Sequence, residues 1–191
     1  DNVSVKEYLG QEVVPDSGCG SWLFEPQSTN LITYSEDFSQ SFWTKQASVT
    51  LDKGYLAPDG TYNATKISGV IGSSYVVSQG GILSSSSTKS IWAKTTSGTG
   101  VIHLGANQNQ SNASFTVTNE WQRFEVTGTT TDVYAVDFRN ASTTLSEVLV
   151  WGAQGENLSY ATSYIPTNGE ANGVTRNQDV CTNGGSLASI N

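Results

Sequence analysis

The 191-residue sequence contains no methionine, one histidine, two cysteines and four prolines, and these shortages exclude whole classes of function. With His103 as its one imidazole, the chain cannot build a two-histidine metal site. Any Ser/His/Asp arrangement would have to run through that residue. Cys19 and Cys181 are too few for a cysteine-based zinc site and lack C-x-x-C spacing. Basic residues are scarce, with 9 Lys+Arg against 17 Asp+Glu and a formal charge of −8. No basic stripe is available to follow a phosphate backbone, so no nucleic-acid partner is expected. No apolar run approaches the roughly 20 residues of a membrane-spanning helix, so no membrane insertion is expected. Charged residues make up only 14% of the chain and hydrophobic residues 36%. Ser, Thr, Asn, Gln and Gly dominate the rest, the composition of a secreted or virion-surface β-protein. A sequence that begins at Asp1 without any methionine is expected to be a processed product or a module of something larger.

At roughly 100–200 residues per domain, the length fits one domain with tails, or at most two small ones. Residues 1–29 read as a lead-in arm. Asn2-Val3-Ser4-Val5-Lys6 alternates like a strand, and Gly10, Pro15, Gly18 and Gly20 then break the chain. From about residue 30 to 165 the pattern is all-β. Ala47, Val49 and Leu51 alternate with polar neighbours, as do Ala113, Phe115 and Val117; in the third run Tyr134, Val136 and Phe138 alternate with Ala135 and Asp137. A period of two means one face buried and one face wet. Tyr75-Val76-Val77 and Val148-Leu149-Val150-Trp151 are apolar on both faces, which fits inner strands. Turn clusters recur roughly every 10–15 residues, the spacing of sandwiches and barrels. Ser35-Glu36-Asp37-Phe38 is the one helix candidate, a short turn capped by Ser35. From Pro166 the chain turns Asn/Gly-rich, so residues 166–191 read as a tail or linker. The expected fold is an antiparallel β-sandwich with extended N- and C-terminal arms.

Five tryptophans and eight tyrosines in so polar a chain are the most informative excess. Exposed aromatic rings bind sugars because the C–H face of a pyranose stacks on a π-face, while nearby Asn, Gln, Asp and Arg supply directional hydrogen bonds. Trp151, Trp121, Phe38, Phe115 and Phe138 are expected in the core. Trp92 shares a strand face with Ser90 and Lys94, opposite Ile91 and Ala93, so it is either a ligand platform or an inner-sheet residue covered by a loop. Trp43 and Tyr75 are candidates of the same kind, with Asn107, Gln108 or Arg139 as hydrogen-bonding neighbours. His103, opposite Ile102 and Leu104, reads as a structural histidine with no nucleophile elbow near it. The acids lie scattered in loops, so no enzymatic activity is expected. No cofactor is required; a structural calcium would draw on Glu36, Asp37 or Asp132 and backbone carbonyls. Cys19 and Cys181 either pair across the base of the domain, closing a loop worth roughly 4–5 kcal/mol of chain entropy, or remain separate thiols.

Ser21-Trp22-Leu23-Phe24-Glu25-Pro26-Gln27-Ser28-Thr29-Asn30-Leu31, followed by Tyr34-Ser35-Glu36-Asp37-Phe38, resembles the start of a recurrent structural module of bacteriophage tail fibres and tail spikes. The likeness continues through Ala57-Pro58-Asp59-Gly60, Trp121-Gln122-Arg123, Trp151-Gly152-Ala153-Gln154, the Ala161–Thr167 segment and Thr175-Arg176-Asn177. It implies a jelly-roll, galactose-binding-like sandwich similar to CBM4/9-type carbohydrate-binding modules. The matched residues are scaffold: Phe38, Trp121, Trp151 and Tyr164 as packing positions and Pro166 as the exit turn. Asp1 to Lys6 is similar to the last strand of a preceding module, which implies tandem copies. The expected function is a non-catalytic glycan-binding and adhesion module, extracellular or on a virion surface, with a polysaccharide or cell-surface glycan as partner. The rival expectation is a structural subunit of a virion or filament, joined to neighbouring copies by strand exchange through residues 1–10.

Overall fold

In a computed structural model of the chain, residues 14–16, 19–21, 24–128 and 132–180 are described. A small ribbon pairs β1 (Val14–Asp16) with β2 (Cys19–Ser21). After β3 (Ser28–Asn30), β4 (Trp43–Lys45) and β5 (Thr50–Tyr55) come the strands of the main body: β6 (Ala64–Ser68), β7 (Tyr75–Ser78), β8 (Thr88–Lys94), β9 (Gly100–Leu104), β10 (Ser114–Val117), β11 (Gln122–Thr127), β12 (Ala135–Asp137) and β13 (Glu147–Glu156). β14 (Val174–Arg176) closes the described chain.

Two antiparallel sheets face each other, ordered β11-β8-β13-β6-β5 and β10-β9-β12-β7-β4. Numbered from β6, the eight strands to β13 run sixth-third-eighth-first in one sheet and fifth-fourth-seventh-second in the other. That order is a jelly roll, with β5 and β4 added at one edge of each sheet. The expected all-β sandwich is therefore the observed fold. Of the alternating runs, Tyr134, Val136 and Phe138 are buried between the sheets with Val76, Ile102, Leu104, Ile67, Ile91, Val148 and Val150, but Ala135 and Asp137 on their other face are buried too, and Ala47 lies exposed in a turn before β5. Among the described residues the only helical element is a short 3-10 turn at Ser111–Ala113. The turn expected to be helical at Ser35 is instead a clasp. Ser35 is fully buried; its backbone N–H donates to Thr167 Oγ1, and its hydroxyl is 2.6 Å from the Tyr164 hydroxyl. A side chain tied to residues far along the chain is not free to cap its own next turn.

The central strand β13 carries a bulge between Trp151 and Gln154. Val148 and Val150 point into the core, Trp151 points out, and Ala153 points in again. Gly152 is the residue that absorbs the extra step, at φ +66; a Cβ there would lie 3.2 Å from the Tyr164 ring and 3.4 Å from Trp92. Beyond the bulge, β13 sends two buried polar side chains, Gln154 and Glu156, outward. Ser28 Oγ, Gln154 Nε2, Thr162 N and Thr162 Oγ1 all donate to the Glu156 carboxylate.

The polar segment after Pro166, expected as a tail, is packed on the sandwich as far as Asp179. β14 pairs with β3, Gly169 N donates to the Thr33 carbonyl, and Asp179 N donates to the Glu25 carbonyl. Asn30, fully buried, joins these layers: its Nδ2 donates to the carbonyls of Ala153 and Ile165, and its Oδ1 accepts from the backbone N–H of Ile32 and Gly155. Composition reads this region as linker because hydrogen bonds, not apolar burial, hold it. Arg176 completes the clasp by pairing with Glu25. Residues 2–6, the Cys19 side chain and Cys181 lie outside the described residues.

Candidate functional site

On the face of the β10-β9-β12-β7 sheet turned away from the core, pairing places Ser114 beside His103, His103 beside Asp137, and Asp137 beside Tyr75. With neighbouring strands ~4.8 Å apart, this row of four spans roughly 14 Å. The loops after β9 and β12 add Asn107, Gln108, Arg139, Asn140 and Ser142 along one border.

Asp137 is the keystone of the row and is fully buried. Arg139 grips it through two side-chain bonds, Nη2 to Oδ2 at 2.6 Å and Nε to Oδ1 at 2.9 Å. The backbone N–H groups of Arg139 and Gln108 complete its acceptors. A carboxylate out of water is stable only with its lone pairs matched in this way. The bond to Asp137 raises the Arg139 pKa further, so the guanidinium stays cationic. That guanidinium lies 4.1 Å from the centre of the Tyr75 ring, a cation–π contact, and its Nη2 also donates to Asn107 Oδ1. Asn140 Nδ2 donates to the Gln108 carbonyl and fixes the loop. Among the described residues, the Tyr75 hydroxyl, the Asn107 side-chain amide N–H groups and the Gln108 side-chain amide have no internal hydrogen-bond partner. They are half-buried, held by braced neighbours, and free to bond a ligand.

Four of the residues picked out from the sequence, Tyr75, Asn107, Gln108 and Arg139, thus meet at one place. Two do not. Trp43 is 1% exposed, packed against Phe38, Phe42 and Tyr134, with its indole N–H donating to the Tyr34 carbonyl, so no ligand can stack on it. The sequence misplaces it because its edge strand turns this side chain inward. Trp92 lies on the outer face of the other sheet, half-buried in a cluster with Trp151, Tyr164, Trp121 and Ala57. Packed against those rings and Ala57, it stands apart from the Tyr75 group, on the other sheet. Asp137, Asn140, Ser114 and Ser142 were not singled out. One signal was available for Asp137: Asp-Phe-Arg places opposite charges two residues apart, on one strand face.

His103 is buried beside Asp137, and burial lowers its pKa while the Asp137 charge works against that shift. Ser142 Oγ lies 3.5 Å from His103 Nε2, which brings a serine, a histidine and an aspartate into proximity. They are not wired for catalysis: Asp137 is spent on Arg139 and Gln108, and His103 Nδ1 makes no hydrogen bond to it. A triad needs that bond to orient the imidazole.

The residues named for calcium are already engaged. Asp37 accepts from Lys53, Ser39 and Gln40, bonds that hold its carboxyl well below the usual range despite the opposing effect of burial. Asp132 accepts from the Gly81 N–H. The carbonyls of Phe38, Ser39, Gln40 and Trp43 converge on the Lys45 ammonium at 2.8–3.3 Å, so an ion would have to displace a resident cation. Among the described residues no group of three His, Cys, Asp or Glu side chains is placed to hold a metal. Nor is any helix among them long and apolar enough to cross a membrane.

No protein-family model matches the chain. No curated protein matches it. Among solved structures it is similar to the CBM22-1 xylan-binding domain of Paenibacillus barcinonensis Xyn10C, with a TM-score of 0.45 at 13% identity over 70% of this chain and 94% of that one. It is similar to the family 11 carbohydrate-binding module of Clostridium thermocellum at TM-score 0.41 and 11% identity, covering 75% of this chain and 98% of that one. It is also similar to the enzymatically active domain of bacteriophage CBA120 tailspike protein 4, at TM-score 0.38 and 12% identity, over 66% of this chain and 21% of that one.

Proposed function

We propose that the chain is a non-catalytic glycan-binding module whose ligand lies across the outer face of the β10-β9-β12-β7 sheet. The observation that carries this reading is the Tyr75–Arg139–Asp137 unit. A buried carboxylate fixes a guanidinium, the guanidinium fixes a half-buried ring, and unpartnered amides and a phenol line the same border. Fixed polar groups beside an aromatic ring suit a neutral polyhydroxylated chain, because hydroxyls both donate and accept and the pre-set geometry lowers the entropic cost of binding. The ion pair is internally neutral, so the site has no strong preference for charged sugars. A binding face rather than an active centre is supported by the engagement of Asp137 away from His103. Extracellular or virion-surface display of such a module, alongside further copies, is the setting implied by the sequence resemblance. There weak single sites gain from avidity.

The test is a glycan array followed by titration calorimetry on the best binder. Tyr75→Ala and Gln108→Ala are expected to weaken binding at least about tenfold, or ~1.4 kcal/mol, while both variants still unfold cooperatively. Trp92→Phe is expected to bind like the parent. Full affinity in Tyr75→Ala, or lost affinity in Trp92→Phe with the fold intact, would move the ligand off this face.

A further inference from the structure

At the opposite sheet, where the edge strand β5 meets the Ser35–Asp37 turn and the segment after Pro166, the surface holds a solvent-open pocket of about 480 Å³. That lies within the ~300–1,000 Å³ typical of small-molecule sites and far above what an ion needs. Its walls include Glu36, Asp37, Lys53, Thr65, Tyr62 and Glu170.

Three observations about these walls point to a ligand. First, Thr65 is 1% exposed, yet its hydroxyl has no hydrogen-bond partner. A buried hydroxyl left unmatched costs roughly 1–3 kcal/mol, so an occupant that supplies the bond is favoured. Second, Glu36 is held in place from behind: Tyr164 donates to its Oε1 at 2.8 Å and Asn63 Nδ2 to its Oε2 at 2.5 Å. Burial raises its pKa, so the carboxyl is less strongly hydrated than a surface acid. Third, Tyr62 is 73% exposed, an aromatic ring left in water at the rim. Asp37 and Lys53 neutralise each other at 2.5 Å, and Glu170 accepts from its own loop through the Asn168 N–H.

We infer that this cavity is a second ligand site, for a single sugar unit bearing a vicinal diol. Carboxyl oxygens of Glu36 and Glu170 would accept from adjacent hydroxyls, Thr65 would exchange a hydrogen bond with a third, and Tyr62 would cover the apolar ring face. A pocket closed on one side takes a chain end or a free monosaccharide. The Tyr75 site, by contrast, offers only half-buried groups along the border of the other sheet, where the side of a longer chain can rest. The ligand class follows from the cavity's own residues and stands independently of the Tyr75 site.

The test is a set of amide NMR titrations of the whole protein with xylose, glucose, galactose, mannose and N-acetylglucosamine, each separately, and with calcium chloride. At least one sugar is expected to shift the amides of Gly54, Tyr62, Asn63 and Asn168 saturably. The double variant Tyr62→Ala/Glu170→Gln, altered only at exposed residues, is expected to weaken that binding about tenfold or more. Tyr75→Ala is expected to leave it unchanged, which separates failure of one site from failure of the other. Absence of shifts with every sugar, shifts confined to the Tyr75 face, shifts with calcium alone, or equal binding by the double variant would each overturn the assignment.

Discussion

Replacing Asn30 with alanine probes the joint between the sandwich and its wrapping. The amide of this fully buried side chain uses both N–H groups and both oxygen lone pairs, joining β3, β13 and the segment near Ile165. Asn30→Ala removes four hydrogen bonds at once and leaves the N–H groups of Ile32 and Gly155 and two carbonyls facing a hole. At a net ~1 kcal/mol per bond, with unmatched donors adding to this and any water entering the hole subtracting, the loss is about 3–5 kcal/mol. With a urea m-value of ~2 kcal/mol/M, the unfolding midpoint falls by roughly 2 M. Against a total stability of about 5–15 kcal/mol, that is a large fraction. Asn30→Asp is expected to be at least as damaging, because it keeps the acceptors but sets a carboxylate against the carbonyls of Ala153 and Ile165. The assay is equilibrium urea unfolding followed by tryptophan fluorescence. An Asn30→Ala cost below ~1 kcal/mol at unchanged m would refute the view that this side chain ties the layers together.

Two further outcomes are expected. Lys89 is fully buried, and burial brings its pKa down to about 8 against an ordinary 10.5, with Asp132 opposing the shift. The unfolded chain therefore binds the proton more tightly between those values, and stability should rise from pH 8 to pH 10.5, by at most ~1.4 kcal/mol per pH unit from this group; unfolding midpoints across that window, with Lys89→Met as the slope-free control, check it. Lys45→Met should cost about 1–2 kcal/mol, since the carbonyls of Phe38, Ser39, Gln40 and Trp43 lose their donor, whereas calcium or a chelator should leave the parent's melting temperature unchanged.

The strands were legible because a period of two picks out the core-facing side, as Tyr134, Val136 and Phe138 do; that Ala135 and Asp137 on the other side are buried as well was not legible, since loops from elsewhere in the chain cover them. Strand order was not legible, since it depends on pairings between distant segments. For that reason Asp137 and His103 read as unrelated residues in the sequence and as neighbours in the sheet. Tyr75 stood out as an aromatic in a polar chain, and Asn107, Gln108 and Arg139 as amide and guanidinium groups suited to bond hydroxyls, Arg139 being one of only 9 Lys+Arg. Trp43 misled because an aromatic beside polar neighbours looks exposed, but an edge strand can turn it inward. The segment from Pro166 to Asp179 hid its role because its attachment runs through Thr167, Arg176 and backbone groups. Hydrophobic pattern does not register such contacts.

The β3–β14 pair also has a mechanical meaning. Ser28 lies opposite Arg176 and Asn30 opposite Val174, so the chain enters and leaves the body side by side, in opposite directions. A tensile load applied to the two ends would act across this ladder in peel, straining one rung at a time from the Glu25–Arg176 pair inward. The main sheets would feel little force until the clasp had opened. Strung between neighbours, such a unit would behave as a pendant on the cable rather than a link in it, and its binding face would keep its shape while the line is pulled.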